Sequence, residues 1–339
     1  MHNVALIGAG SAGTWHQPGW QKVPDARLAV VVDIDPERAS DRAAKWGGVA
    51  PATDYRTVLA DPGITICDIC LPHSLHAPIA VDCLRAGKHV LLEKPIALNL
   101  AEAAAIIAAE KESGKVLMVA ENCYYAPAVT KAAEILRAGT VGELHDVRGR
   151  LEYPGLRAYV EPEGAADPRA WRRDVRRSGG GMVFDGGTHL VSVARMFMGE
   201  VESVAAMERA GPGGELPAHE DTFHAITRFS SGACGAFDFV SDSGGEEVLV
   251  RLSLLGTGGV LELDLWSGTV KVIRFKEIAE YALGPWGGFA EEIAHFMECV
   301  RTGAEPRSSA RDQSRSLALV LAAYESARKG GVPVRPGTA

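Results

Sequence analysis

Three side chains stand where they could move protons or stabilise charge: Lys94, Asp185 and His189. Lys94 lies in His89-Val-Leu-Leu-Glu-Lys-Pro-Ile96, where a short apolar strand, Val90–Leu92, runs into a charged pair and a proline. A lysine at the end of a buried strand is costly unless it has a partner or a task. Pro95 fixes its own φ, restricts Lys94, and opens the way to a cis Lys94–Pro95 bond. Asp185 and His189 fall in Ser178-Gly-Gly-Gly-Met-Val-Phe-Asp-Gly-Gly-Thr-His189. Leu190, Val193, Ala194 and Phe197 set a helical period, on which these two residues share one face near the N-terminus. A carboxylate beside a histidine raises its basicity and orients its ring, as proton transfer requires. Gly186 and Gly187 each weaken that first turn by roughly 0.5–1 kcal/mol relative to alanine, which points to close approach by a ligand. The plain alternative is a histidine packed in the core and hydrogen-bonded to Asp185.

The elements that must carry Lys94 alternate between strand and helix. Val4–Ile7 leads into Gly8-Ala9-Gly10-Ser11-Ala12-Gly13, then a helical stretch, then Leu28–Val32 ending in Asp33. Glycines in this pattern allow a tight turn and bring backbone N–H groups to a pyrophosphate at a helix N-terminus. Asp33, about twenty residues beyond the loop, is where a dinucleotide-binding fold keeps its ribose-binding acid. A carboxylate there favours NAD over NADP, with Arg38 the one nearby cation. Pro18-Gly19 inside Ser11–Lys22 predicts a kink, or an end near Gln17. Helices are expected at Pro36–Trp46, at Leu75–Ala86 capped by Ser74, and from Asn99, with Glu102 completing a capping box and Gly114 closing it. With strands at Ile64–Leu71 and Val116–Ala120, the pattern is a doubly wound parallel sheet. Gly8, Asp33, Pro72 and Glu93-Lys94 all fall at the carboxyl ends of its strands, where such folds bind ligands.

Beyond Tyr125 the period changes. Phe223–Phe229 and Leu261–Leu265 alternate, Ser230–Gly232 makes a hairpin turn to Ala233–Val240, and Val248–Leu254 is a further strand. This predicts an α+β domain with a largely antiparallel open sheet, closed by helices at Phe289–Thr302 and Asp312–Arg328. The free sheet face suits self-association as a homodimer or homotetramer. The domains are accordingly placed at 1–122 and 123–339.

Bulk properties narrow the classes. At 339 residues the chain suits two domains, since single cores stop growing at about 250–300 residues. A net charge of −8 gives no general attraction to nucleic acid or anionic membrane, and the short basic cluster Arg169–Arg177 does not change that. No apolar run is long enough to span a bilayer, and the N-terminus runs straight into a strand without a secretory signal, so a cytoplasmic protein is expected. Six cysteines in a chain of this length argue against a disulfide framework. Cys67 and Cys70 are three apart on a strand and point to opposite faces, which suits neither redox nor metal chemistry. His73 and His76 with Cys70 make a poor zinc set, and no metal is expected.

Together these stretches resemble the Gfo/Idh/MocA family of NAD(P)-dependent oxidoreductases, over essentially the whole chain. The resemblance rests on Gly8–Gly13, Asp33-Ile-Asp-Pro-Glu-Arg38, Pro72-His-Ser-Leu-His76 and Ala86-Gly-Lys-His-Val-Leu-Leu-Glu-Lys-Pro95. It extends through Trp171-Arg172, Gly179–Gly181, Asp185-Gly-Gly-Thr-His189 and Ala323-Tyr-Glu-Ser-Ala-Arg328. It implies an N-terminal Rossmann domain and a small-molecule sugar or polyol substrate, and it places Lys94, Asp185 and His189 in one catalytic group. Cofactor contacts are expected from Gly8, Gly10, Ser11, Ala12, Gly13, Asp33, Ile34, Arg38, Leu71, Pro72, His76, Glu93 and Lys94. Substrate contacts are expected from Lys94, Asn122, Tyr124, Trp171, Arg172, Asp185 and His189. Many members place an arginine where Tyr124 or Tyr125 stands; a tyrosine there favours a neutral polyol. The loop Tyr153–Arg177, with Tyr159, Trp171, Arg172 and Arg173, could restore positive charge, so substrate charge stays open.

The expected reaction passes a hydride between a secondary hydroxyl of a sugar, glycoside or cyclitol and NAD. His189 takes the proton, Asp185 holds its tautomer, and Lys94 stabilises charge on the reacting oxygen or carries the proton itself. A redox-neutral enzyme of the same fold, oxidising transiently to permit elimination or glycoside cleavage, needs the same residues. A non-catalytic dinucleotide sensor should have lost Lys94 or His189, and this chain keeps both.

Overall fold

The computed structural model describes residues 1–153, 170–210, 220–241 and 247–339. Tyr159, named above, lies outside them. The chain divides into two units: Met1–Asn122 with Phe289–Ser314 and Ala339, and Cys123–Gly288 with Arg315–Thr338.

The first unit is built on β1 (His2–Ile7), α1 (Ser11–Lys22), β2 (Ala26–Val32), α2 (Pro36–Lys45), β3 (Ala50–Ala52), α3 (Arg56–Ala60), β4 (Ile64–Ile69), α4 (His76–Arg85), β5 (His89–Glu93), α5 (Leu100–Ser113) and β6 (Leu117–Ala120). Its strands pair in parallel in the order β3-β2-β1-β4-β5-β6, a doubly wound sheet that reverses direction of growth at β1/β4. Val4–Leu6, Ile66, Val90–Leu92 and Leu117–Val119 are all fully buried, as strands covered on both faces must be. Asp35 caps α2 by accepting from the Glu37 and Arg38 N–H groups. Asn99 caps α5 by accepting from Glu102 N–H at 3.0 Å, and Gly114, at φ +62°, ends it. Glu102 returns its carboxylate to Leu98 N–H and the Asn99 side chain, a variant of the expected capping box.

Two local expectations are corrected. Ser74 does not cap α4, which starts at His76 after a tight turn at His73–Leu75 and has no side-chain cap. α1 does not end near Gln17; it continues through Pro18 to Lys22. An interior proline costs about 3 kcal/mol or more, and here packing outweighs it. The helix Phe289–Thr302 lies against α1 so closely that a Cβ on Gly19 would stand 2.6 Å from Ile293 Cδ1. Trp15 and His16 meet the Phe289 ring, and Trp20 meets Phe296 edge-on.

The second unit contains α6 (Pro127–Arg137), β7 (Leu144–Glu152), α7 (Val175–Ser178), α8 (Met182–Asp185) and α9 (Gly187–Met198), then β8 (Val201–Ala210), β9 (Glu220–Phe229), β10 (Cys234–Val240), β11 (Leu249–Gly256), β12 (Gly259–Asp264), β13 (Thr269–Arg274) and β14 (Glu277–Ala282). The sheet order is β14-β13-β12-β11-β7-β10-β9-β8, antiparallel throughout except β7 with β10. Residues of β9 alternate, Phe223, Ala225, Thr227 and Phe229 inward, His224, Ile226 and Arg228 outward. The β9–β10 hairpin turns at Gly232, φ +89°. From Arg315 onward the helix Ala310–Arg328 belongs to this unit, with Leu317, Val320 and Tyr324 buried.

Candidate active site

In the first unit the sequence-predicted residues gather at the carboxyl ends of the strands. Gly8 takes φ +108°, and a Cβ there would stand 2.1 Å from the Cys70 carbonyl oxygen, so the β1–α1 turn admits only glycine. The α1 N-terminus has no capping side chain and no acid in its first turn, and a Cβ on Gly10 would meet nothing within 4 Å. A helix N-terminus with no side-chain cap and with room beside Gly10 fits a pyrophosphate. Asp33 accepts from Ala9 N–H at 2.9 Å and Asp35 N–H at 3.0 Å, which fixes its carboxylate beside the loop with lone pairs left for ribose hydroxyls. Arg38 is drawn to Asp35 at 2.8 Å, with Asp33 3.7 Å away. Ile34, beside them, is 89% exposed, an apolar surface left for a base to cover. Residues from the loop, β2 and the start of α2 thus fit a dinucleotide.

The Glu93–Lys94 end of β5 is secured from two sides. His76, fully buried, places Nδ1 2.7 Å from the Pro95 carbonyl oxygen and Nε2 2.9 Å from that of Leu71, and burial lowers its pKa. It ties the turn at Pro95 to Leu71, just beyond the end of β4. The Lys94–Pro95 bond is cis. Glu93 accepts from Lys94 N–H at 3.0 Å through Oε2, while Oε1 lies 3.1 Å from His16 Nε2. His16 Nδ1 is 3.0 Å from both oxygens of Asp68, which also accepts from Trp20 Nε1 at 2.7 Å. Both ring nitrogens of His16 face carboxylates, so both carry hydrogen and the ring is an imidazolium. Burial alone would lower its pKa, but Asp68, and then Cys70, hold it well above the usual histidine value. Glu292, from the Phe289–Thr302 helix, is fully buried nearby, and neither of its oxygens has a hydrogen-bond partner among the described residues. Burial raises its pKa well above the ordinary glutamate value; His16 opposes the rise, and Glu93, Glu121 and Asp68 add to it.

The second unit holds Asp185 and His189 a turn apart. Asp185 ends α8 and His189 lies in the first turn of α9, so the single helix expected is two short runs joined at Gly186. Gly186 keeps helical dihedrals, φ −77° and ψ −35°, so the two residues stay close to i, i+4 geometry. The Asp185 carboxylate accepts from Arg172 Nε at 2.6 Å, and the Arg172 guanidinium lies over the Trp171 ring, 4.4 Å from its centroid. Arg172, expected at the substrate, therefore meets Asp185. The His189 ring packs edge-on against Trp286, 5.2 Å between centroids. Tyr124, also expected at the substrate, is buried and donates its hydroxyl to the Ser192 carbonyl at 3.2 Å. Asn122 is buried at the end of the first unit.

Sequence reasoning missed His16, Asp68, Glu292 and Trp286. Asp68 interrupts an otherwise apolar strand, and a buried carboxylate there calls for a cation. That signal could have found His16.

Comparison with known proteins decides the lineage. Residues 2–121 match the profile of an oxidoreductase family with an NAD-binding Rossmann fold, and residues 129–262 match the GFO/IDH/MocA C-terminal domain. The chain belongs to the GFO/IDH/MocA family. It is thus an oxidoreductase, with a Rossmann unit for NAD and a second, largely antiparallel sheet. Among GFO/IDH/MocA relatives, it is 29% identical to the levoglucosan dehydrogenase of Pseudarthrobacter phenanthrenivorans (strain DSM 18606 / JCM 16027 / LMG 23796 / Sphe3), over 76% of this chain and 72% of that protein. It is 27% identical to the myo-inositol 2-dehydrogenase of Thermotoga maritima (strain ATCC 43589 / DSM 3109 / JCM 10099 / NBRC 100826 / MSB8), over 95% of each. A levoglucosan dehydrogenase solved with NADH and levoglucosan superposes with a TM-score of 0.88 at 26% identity, over 99% of this chain and 100% of that one. No helix among the described residues is long and apolar enough to cross a membrane.

Proposed function

We propose that the protein oxidises a secondary hydroxyl of a sugar, glycoside or cyclitol, with NAD as hydride acceptor. The observation that carries this reading is Asp185, held by Arg172, one helical turn before His189. His189 takes the hydroxyl proton, Asp185 orients it, and Lys94 stabilises the charge that develops on the reacting oxygen. Bound NAD supplies the acceptor for the hydride that leaves the carbinol carbon, so the hydroxyl becomes a carbonyl. Glu93 fixes the Lys94 backbone from below. Asp33, clamped by two backbone amides, with Arg38 turned toward Asp35, supports NAD over NADP. The levoglucosan and inositol dehydrogenases among the relatives support a polyhydroxylated neutral substrate.

The protein works in the cytoplasm as a homodimer or homotetramer. Met207 and Ile226, 67% and 64% exposed on one face of adjoining strands, support a partner on the outer sheet.

NADH absorbance over a panel of inositols, monosaccharides and 1,6-anhydrosugars, with NAD and NADP in parallel, tests the reading. Lys94→Ala should lower turnover by at least a thousandfold while NAD binding, followed by fluorescence, stays within about threefold. Turnover near wild type in that variant removes Lys94 from the reaction. Product without net NADH would move the enzyme to the redox-neutral class.

A further inference from the structure

Two stretches of the sequence have no part in the chemistry above: the triple glycine Gly179–Gly181 and the C-terminal run containing Tyr324. They meet at Glu220, the first residue of β9. Glu220 is 1% exposed and Tyr324 2%. Glu220 Oε1 accepts from Tyr324 O–H at 2.7 Å and from Val183 N–H at 3.1 Å. The Tyr324 oxygen in turn accepts from Gly181 N–H at 3.3 Å. The carboxylate and phenol therefore take up two of the amides that open α8, the four-residue helix ending in Asp185. Asp185 N–H closes the turn on the Gly181 carbonyl at 3.1 Å. The glycines make this possible. A Cβ on Gly181 would stand 2.1 Å from Glu220 Oε2, and one on Gly180 would stand 2.8 Å from the Tyr324 oxygen.

We propose that Glu220 is a positioning residue for Asp185, gripping with Tyr324 the backbone from Gly181 to Val183 and so fixing where α8 begins and where its last residue points. Only one turn separates the grip from Asp185, so there is little chain in which an error could be absorbed. A shift of about 1 Å in a reacting group can cost on the order of a hundredfold in rate. The proposal rests on the assignment of Asp185 to proton transfer above.

The test compares Glu220→Ala, Glu220→Gln and Tyr324→Phe in the full-length protein, with Asp185→Asn as reference. Glu220→Ala should lower kcat at least tenfold while KM and NAD affinity stay within about twofold. Glu220→Gln, which keeps an oxygen for Val183 N–H and Tyr324 O–H, should recover most of that loss. Tyr324→Phe should cost about threefold. Amide hydrogen exchange reads the grip without activity, and Val183 should lose at least tenfold protection in Glu220→Ala but not in Glu220→Gln. Gly181→Ala should lower kcat in the wild-type background and less in Glu220→Ala, because the Cβ then meets no carboxylate. Unchanged kcat in Glu220→Ala beside a strong loss in Asp185→Asn overturns the proposal. Full activity in Asp185→Asn overturns the catalytic reading instead, and unchanged Val183 protection in Glu220→Ala then overturns the grip on its own.

Discussion

The two stretches that carry the proposed chemistry are held by different means. In the first unit the Glu93–Lys94 turn is secured by buried charge: an imidazolium between two carboxylates, with an indole N–H on one of them. In the second unit the Asp185–His189 turn is secured by backbone amides on one carboxylate and one phenol, admitted by glycines. The difference follows from what each element offers. β5 ends deep in a parallel sheet, where neighbouring strand ends bring side chains together and the His16 ring joins the Lys94 amide in offsetting the desolvation of Glu93. α8 opens with backbone amides that have no partner within the helix, and these donate to the Glu220 carboxyl and the Tyr324 oxygen.

Removing the central charge from the first arrangement is the largest perturbation. His16→Leu keeps the volume approximately but leaves Asp68 and Glu93 buried without their cation. Breaking one partner out of a buried ion set costs about 3–5 kcal/mol. Urea unfolding should show that loss, and Asp68→Asn/His16→Leu together should recover part of it. A cost below about 1 kcal/mol for His16→Leu would mean that packing of Trp20 and Phe296, not charge, holds this end of the unit.

Much of this was legible in the residues. The glycine loop, Asp33 and the strand–helix alternation lie within short windows, and so do the Asn99 cap, the Gly114 stop and the hairpin at Ser230–Gly232, because each depends on neighbours in sequence. The spacing of Asp185 and His189 is likewise local. What escaped was set by pairs far apart in the chain. Pro18 signals a helix end by its own chemistry, and only the Phe289–Thr302 helix reverses that. No local pattern announces that this helix belongs with the first unit. The pairing of Arg172 with Asp185, thirteen residues away, could not be seen from sequence spacing. Glu220 and Tyr324 belong to β9 and the last helix, and neither residue alone signals the other.

The second arrangement should reveal itself through pH. Burial raises Glu220 to about 7 from its ordinary 4.5, against the lowering effect of the Tyr324 and Val183 hydrogen bonds, with Glu208 adding to the rise. Arg209 is occupied by Asp221. The folded protein therefore holds this proton more tightly than the unfolded chain. The associated stability is complete below about pH 4.5 and is lost as pH rises through about 7, on the order of 3 kcal/mol in all. Glu220→Gln cannot titrate, so the difference in unfolding free energy between variant and wild type should swing toward the variant across that window. A difference that stays flat from pH 4.5 to 8 would mean that Glu220 remains ionised in the fold, and the contrast with the charged first unit would weaken.

The smallest effect on stability is expected at Gly10, and it separates glycines that serve the protein from glycines that serve a ligand. Gly181 is required by a carboxylate already in place, whereas a Cβ on Gly10 has open space around it. Gly10 also has φ −76°, a value any residue adopts. Gly10→Ala should therefore change unfolding free energy by less than about 0.5 kcal/mol, the range of substitutions that touch nothing. The methyl would still stand where a pyrophosphate must approach the α1 amides, and NAD affinity should fall by about tenfold or more. Thermal unfolding with and without NAD measures both at once, since bound ligand raises stability by an amount set by its affinity. If the variant lost stability without NAD yet kept its NAD-dependent gain, Gly10 would belong with Gly8 and Gly181 as a structural glycine, not one kept open for a ligand.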